Sequence, residues 1–246
     1  MSNSSPLHLL AMRRASANWR MRSYGLLSNI GGTSYFGKRR PKSALHVSEP
    51  FLLSPGMASS TSTPLEDTIL ILDSLCRRKR LEYAIFGGIA SILYGSGRAT
   101  IEIDLIVRIE IDALEEVYRS FLDEFQPVKQ HPLEFFKTYF VLPVVHKTLG
   151  TKVDISAALS QFEREAIRRG KRLRYGSVEA SFCTPEDLIL FKLVANRERD
   201  ILDVKDIIKR MRDTLDGAYL RTRAEDFVEV DRPDILENLE LFLRAR

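Results

Sequence analysis

The chain has 246 residues, 44% of them hydrophobic and 28% charged, with a formal net charge of +4. That composition suits one globular unit of ordinary size plus extra segments, and it excludes a membrane span, because no apolar run approaches the ~20 residues required. The charge is uneven: residues 1–56 hold eight Lys/Arg and one acid, Glu49, for +7, which leaves −3 on the remainder. The folded part is therefore not a general polyanion binder, and any nucleic-acid contact has to be local.

Residues 1–56 are rich in Ser, Arg, Gly and Pro and show no sustained helical or strand period. Three readings compete for them: a disordered basic tail, an Arg- and Ser-rich transit peptide, or an upstream extension of the reading frame with Met57 as the true start. The first and third are favoured. No apolar stretch follows the basic residues, which argues against a secretory signal. Residues 57–183 and 184–246 are then expected to form a catalytic domain and a helical C-terminal lobe.

Thr63-Pro64-Leu65-Glu66 is a capping box with proline at the first helical position, so a helix is expected to about Arg80. Tyr83 to Phe86 reads as a short buried strand, Gly88 to Tyr94 as a helix broken by Gly95-Ser96-Gly97, and Thr100 to Val107 as a strand. Asp112 is placed to cap a helix whose apolar residues Leu114, Val117, Tyr118, Phe121, Leu122 and Phe125 keep one face. Phe135 to Val145 and Thr151 to Ser156 read as strands around a turn near Leu149-Gly150. Leu159 to Arg169 reads as a basic helix, and Leu173 to Phe182 as a hairpin turning at Gly176-Ser177. Thr184 opens a capped helix to about Asn196. Asp200 to Met211 follows as a helix, with two more near Tyr219–Val228 and Pro233–Ala245. The pattern is α+β, a mixed sheet with helices and a helical C-terminal lobe. Cys76 and Cys183 lack metal-ligand spacing and read as buried thiols in a reducing, cytoplasmic setting.

Phe86-Gly87-Gly88 is followed after thirteen residues by Glu102-Ile103-Asp104-Leu105. Side chains alternate along a strand, so Glu102 and Asp104 share a face. Two like charges side by side repel, whereas hard oxygen ligands at that spacing suit Mg²⁺. The glycines place backbone N–H groups where phosphate binds well. Asp154, between Val153 and Ile155, is a third carboxylate that joins the pair if its strand lies beside theirs. Metal and phosphate together point to nucleotidyl or phosphoryl transfer.

Phe86-Gly87-Gly88, Glu102-Ile103-Asp104-Leu105 and Val153-Asp154-Ile155 resemble the nucleotidyltransferase (DNA polymerase β-like) superfamily. Gly97-Arg98-Ala99-Thr100 resembles its small bacterial and archaeal members. So do Glu186-Asp187-Leu188-Ile189, Lys192, Ala195, Arg199-Asp200 and Asp203. Together these are similar to the AbiEii-type toxins of toxin–antitoxin systems. The resemblance covers about residues 65–210. It implies a nucleotidyltransferase-like fold, Mg²⁺ as cofactor, and an NTP substrate. Glu102, Asp104 and Asp154 would be the catalytic metal ligands. Gly87, Gly88, Arg98 and Lys192 would contact the nucleotide. The acceptor hydroxyl would lie on RNA (a tRNA 3′ end among the options), a protein or a small molecule, and a cognate antitoxin would be a partner.

Many relatives carry Asp where this chain has Glu102, which moves the oxygens by about a bond length and affects a geometry-sensitive site. A catalytically inactive nucleotide-binding module is the alternative. Capping and solvated-face roles compete with a place in the site for Asp200 and Asp203. The run Arg164, Arg168, Arg169, Lys171, Arg172 and Arg174 is either a solvated face or an RNA contact.

Overall fold

The structure, a computed structural model, describes residues 62–97 and 99–244. The expectations for residues 1–56 and for Arg98 lie outside the described residues. Seven strands form one mixed sheet in the order β3-β4-β5-β2-β1-β7-β6, and nine α-helices accompany them among the described residues.

Helix α1 (Pro64–Arg78) starts where the sequence places it. The Thr63 hydroxyl accepts the Glu66 N–H, and the Glu66 carboxylate accepts the Thr63 N–H, both at 3.2 Å. Strand β1 (Tyr83–Phe86) is buried throughout, as a central strand of apolar residues must be. It runs directly into α2 (Gly87–Leu93), and the chain returns as β2 (Glu102–Val107), antiparallel to β1. After a 3-10 turn (Ile111–Ala113) come α3 (Leu114–Phe121), β3 (Phe125–Pro127), α4 (Pro132–Tyr139) and β4 (Val141–His146). Strand β5 (Lys152–Ala157) lies parallel to β2 and antiparallel to β4. Helix α5 (Gln161–Arg169) opens on a second capping box, Ser160 with Glu163. The hairpin β6 (Lys171–Tyr175) and β7 (Val178–Phe182) then closes the sheet against β1.

Three expectations are corrected. Phe135 to Tyr139 is helical, not strand: Pro132 takes the first helical turn, Phe136 is buried, and a left-handed Phe140 (φ 56°) turns the chain into β4. Phe125 keeps the helical spacing of its neighbours but leaves the helix, because it pairs opposite His146 in β3. Asp112 sits inside the 3-10 turn and does not cap α3, whose N-cap position is Ala113.

The last third of the described chain is helical: α6 (Pro185–Ala195), α7 (Glu198–Met211), α8 (Gly217–Val228) and α9 (Pro233–Arg244). Thr184 caps α6, and Asn196 ends it in the left-handed conformation. Helix α6 is buried along its whole length. Phe191 on α6 meets Phe86 at 5.1 Å and Phe162 of α5 at 4.8 Å between ring centroids, so the helical part shares one core with the sheet. Both cysteines are unbridged and buried; burial pushes the Cys76 thiol up to about 12 and raises Cys183 as well. No helix among the described residues is long and apolar enough to cross a membrane.

Candidate active site

Strand β2 alternates as its sequence requires. Ile103 and Leu105 are buried, Glu102 is exposed and Asp104 is half-buried. Strand β5 repeats the pattern, with Val153 and Ile155 buried and Asp154 half-buried. The parallel register aligns Asp104 with Asp154 and Glu102 with Lys152. Aligned residues on neighbouring strands share a face at a spacing of about 4.8 Å. The fold thus brings Asp104 and Asp154 side by side, as the sequence required of a shared site.

The two glycines close on Asp104 from β1. Phe86 is the register partner of Asp104, so the β1–α2 junction lies over that carboxylate. Gly87 has φ +65°, and a Cβ built on it would stand 1.9 Å from Asp104 Oδ2 and 2.5 Å from its Cγ. Glycine is required there twice, by backbone conformation and by close approach. The Gly88 N–H points at Asp104 Oδ2 at 3.4 Å, and a Cβ on Gly88 would stand 2.8 Å from Thr100 Oγ1. The glycine pair is therefore packed between Asp104 and Thr100.

Glu102 pairs with its register partner on the same face. Its Oε1 lies 3.5 Å from Lys152 Nζ, and both side chains are more than half exposed. Among the described residues no three acidic, histidine or cysteine side chains converge as a metal cage. The donor chemistry nevertheless fits a divalent ion. Asp104 and Asp154 offer hard oxygens at adjacent positions, with the Gly87-Gly88 backbone packed against the Asp104 carboxylate. Mg²⁺ takes only one or two protein carboxylates when substrate phosphate and water fill the rest.

Lys192 lies in a different setting from the one its sequence position implied. It is 4% exposed, and its ammonium donates to Asp200 at 3.3 Å and to Asp203. Arg197 also pairs with Asp200, and the Ser96 hydroxyl donates to Asp203 at 2.6 Å. Burial pushes the Asp200 carboxyl up, but the Arg197 hydrogen bond and the Lys192 and Arg197 charges outweigh it and hold it below the usual carboxylate range. Asp200 and Asp203 are both buried, so neither occupies a solvated face.

The basic run is largely spoken for by carboxylates. Arg164 pairs with Glu110, Arg168 with Glu165, and Arg172 with Asp73 and Glu179. Arg169 reaches Asp187 and Glu186 while its guanidinium stacks 3.6 Å from the Tyr219 ring centroid. His146 is buried beside Phe125, with Nδ1 accepting the Leu149 N–H at 3.1 Å. The sequence reading missed two residues. Lys152 precedes Asp154 by two as Glu102 precedes Asp104, so a parallel pairing of the two strands implies their contact. Ser96 read only as part of a helix break.

The chain belongs to a family described as a nucleotidyltransferase of unknown function (DUF6036), which it matches over residues 67–240. No curated protein matches it. Solved structures that it resembles include an antigenic nucleotidyltransferase-like protein from Paracoccidioides brasiliensis, 18% identical, covering 72% of this chain and 92% of that one at a TM-score of 0.43. The lincosamide antibiotic adenylyltransferase LnuA, with lincomycin bound, is 16% identical and covers 58% of this chain and 95% of that one at 0.41. JHP933 from Helicobacter pylori is 19% identical and covers 73% and 81% at 0.34. At these scores the family match, and not the structural likeness, carries the assignment.

Proposed function

We propose that this member of a nucleotidyltransferase family moves an NMP unit from an NTP to a hydroxyl acceptor, with Mg²⁺ as cofactor. The observation that carries the reading is the Asp104–Asp154 register pair with Gly87-Gly88 closed on it. Asp104 and Asp154, with Glu102 once it turns from Lys152, would hold the ion. Bound there, the ion would neutralise charge on the triphosphate during in-line displacement.

The chain's own residues bind and orient. The missing side chains of Gly87 and Gly88 let Asp104 and Thr100 pack against the β1–α2 junction, whose backbone N–H groups would face a triphosphate held by the ion. Asp104 is fixed against that backbone, which presets the site before substrate arrives. The acceptor hydroxyl oxygen would attack the α-phosphorus and give its proton to water, the bond from that phosphorus to the α,β-bridging oxygen would break, and pyrophosphate would leave. Arg98 as a nucleotide contact rests on the sequence alone. So do the AbiEii-type toxin role, a cognate antitoxin, and an RNA, protein or small-molecule acceptor. A reducing, cytoplasmic setting fits the two unbridged thiols.

A second reading has its own observation. Glu102 is engaged by Lys152, as in a nucleotide-binding module that no longer transfers. The test is label transfer by the full chain with Mg²⁺ and each α-labelled NTP, offered RNA, protein or small hydroxyl compounds. Label on one acceptor, absent with Asp104→Ala, supports the transferase. NTP binding without label on any acceptor supports the second reading.

A further inference from the structure

The C-terminal helices reach the glycine junction through buried charge. Among the described residues, Lys192 on α6 pairs with Asp200 and Asp203 on α7, and Arg197 at the start of α7 pairs with Asp200. Packing alone does not call for it, since apolar residues of similar volume are often as stable as a buried ion pair. What such a cluster supplies is a carboxylate in one fixed place. Asp203 Oδ1 accepts the hydroxyl of Ser96, 107 residues away in sequence, at 2.6 Å.

Ser96 stands between α2 and β2, the elements that carry Gly87-Gly88 and Asp104. Its neighbour Gly95 is also gripped by α7: it has φ +105°, and a Cβ there would lie 2.0 Å from Arg210 Cδ. Four residues beyond Ser96, Thr100 packs on Gly88, and Glu102 follows two residues later. One helix thus fixes the start of the connection whose end lies on the glycine pair.

We propose that Asp203, held by Lys192, is a positioning residue for the nucleotide site, acting through Ser96 to keep Thr100 against Gly88. The inference rests on the nucleotidyltransferase reading of Gly87-Gly88 and Asp104. Lys192 then acts on the nucleotide through Asp203 and Ser96, and not by touching phosphate.

The test is Ser96→Ala in the full chain, which removes one hydroxyl and leaves every charge pair in place. Losing a hydrogen bond to a charged group corresponds to about a tenfold change or more. Amide hydrogen exchange, measured without nucleotide, should quicken about tenfold over residues 95–102 and stay unchanged in β4 and β5. The NTP KM in label transfer should rise about tenfold with kcat within about twofold, and Ser96→Thr, which keeps the hydroxyl, should restore both. A merely structural hydrogen bond would not produce that split.

Unchanged exchange and KM in Ser96→Ala overturn the proposal. So does a KM raised by Lys192→Met but not by Ser96→Ala, which would make Lys192 a direct phosphate contact. A wild-type chain that transfers no label defeats the transferase reading separately, and the exchange measurement still decides whether Asp203 holds the connection through Ser96.

Discussion

Gly87→Ala tests the closest approach in the site. The new Cβ would stand 1.9 Å from Asp104 Oδ2, 2.5 Å from Cγ and 2.8 Å from Cβ of Asp104. The carboxylate has to move, because the glycine backbone is fixed by β1 on one side and α2 on the other. A non-glycine residue at φ +65° adds a conformational cost of about 1–2 kcal/mol. For a folded unit of this size that lowers Tm by about 2–8 °C, so the chain remains folded. Displacing a metal-ligating or phosphate-facing group by about 1 Å costs on the order of 100-fold in rate. Gly87→Ala should therefore transfer label about 100-fold more slowly while melting only slightly earlier. Gly88→Ala is the internal comparison: its φ is not left-handed and alanine favours the helix by about 1 kcal/mol, but its Cβ would stand 2.8 Å from Thr100 Oγ1 and 2.9 Å from Thr100 Cβ, so Thr100 has to shift. This variant escapes the left-handed penalty and displaces Thr100 instead of the Asp104 carboxylate, so it should raise the NTP KM while slowing transfer less than Gly87→Ala does. Differential scanning fluorimetry and initial rates of label transfer decide the matter. A folded Gly87→Ala chain with a rate within about threefold of wild type would refute the argument that Asp104 works in contact with this glycine.

Three further outcomes are expected. Lys152→Met breaks a solvent-exposed pair worth at most about 1 kcal/mol, so Tm should hold while Mn²⁺ affinity, read by electron paramagnetic resonance, rises up to about fivefold; unchanged or weaker affinity would show that Lys152 does not compete for Glu102. Asp200 has a carboxyl held below its unfolded value of about 3.9, so it adds stability above that pH and loses it as pH falls through the lower folded value. Asp200→Asn should accordingly flatten the denaturant midpoint against pH below about 4, and an unaltered acid limb would contradict this. Arg169→Met and Arg172→Met strip partners from the buried carboxylates Asp187 and Asp73, so both should lower Tm in nucleotide-free buffer; an unchanged Tm would leave the basic run available for RNA.

The local signals in the chain were legible. Thr63, Ser160 and Thr184 announce their helices through side-chain caps, and Tyr83–Phe86, a short apolar run before a Gly-Gly pair, reads as a buried strand and is buried throughout. The parallel alignment of Asp104 with Asp154 was legible as a condition, since a shared site demands that β5 lie beside β2. Aromatic residues from Phe135 to Tyr139 favour strands in isolation, but Pro132 and a buried Phe136 make them a helix. Phe125 kept a helical period that the chain abandoned at Leu122, and only its pairing with His146 shows why. The setting of Lys192 was illegible: its partners follow by 8 and 11 residues, the Ser96 bond spans 107, and no periodicity encodes contacts between separate elements.

The central claim is that Asp104 and Asp154 form one centre. A double-mutant cycle tests it most directly, with kcat/KM for label transfer measured in Asp104→Ala, Asp154→Ala and the combined variant. Two carboxylates that hold one ion fail together, so the double variant should be within about threefold of the worse single variant. Losses that multiply, or an Asp154→Ala chain as active as wild type, would contradict the account.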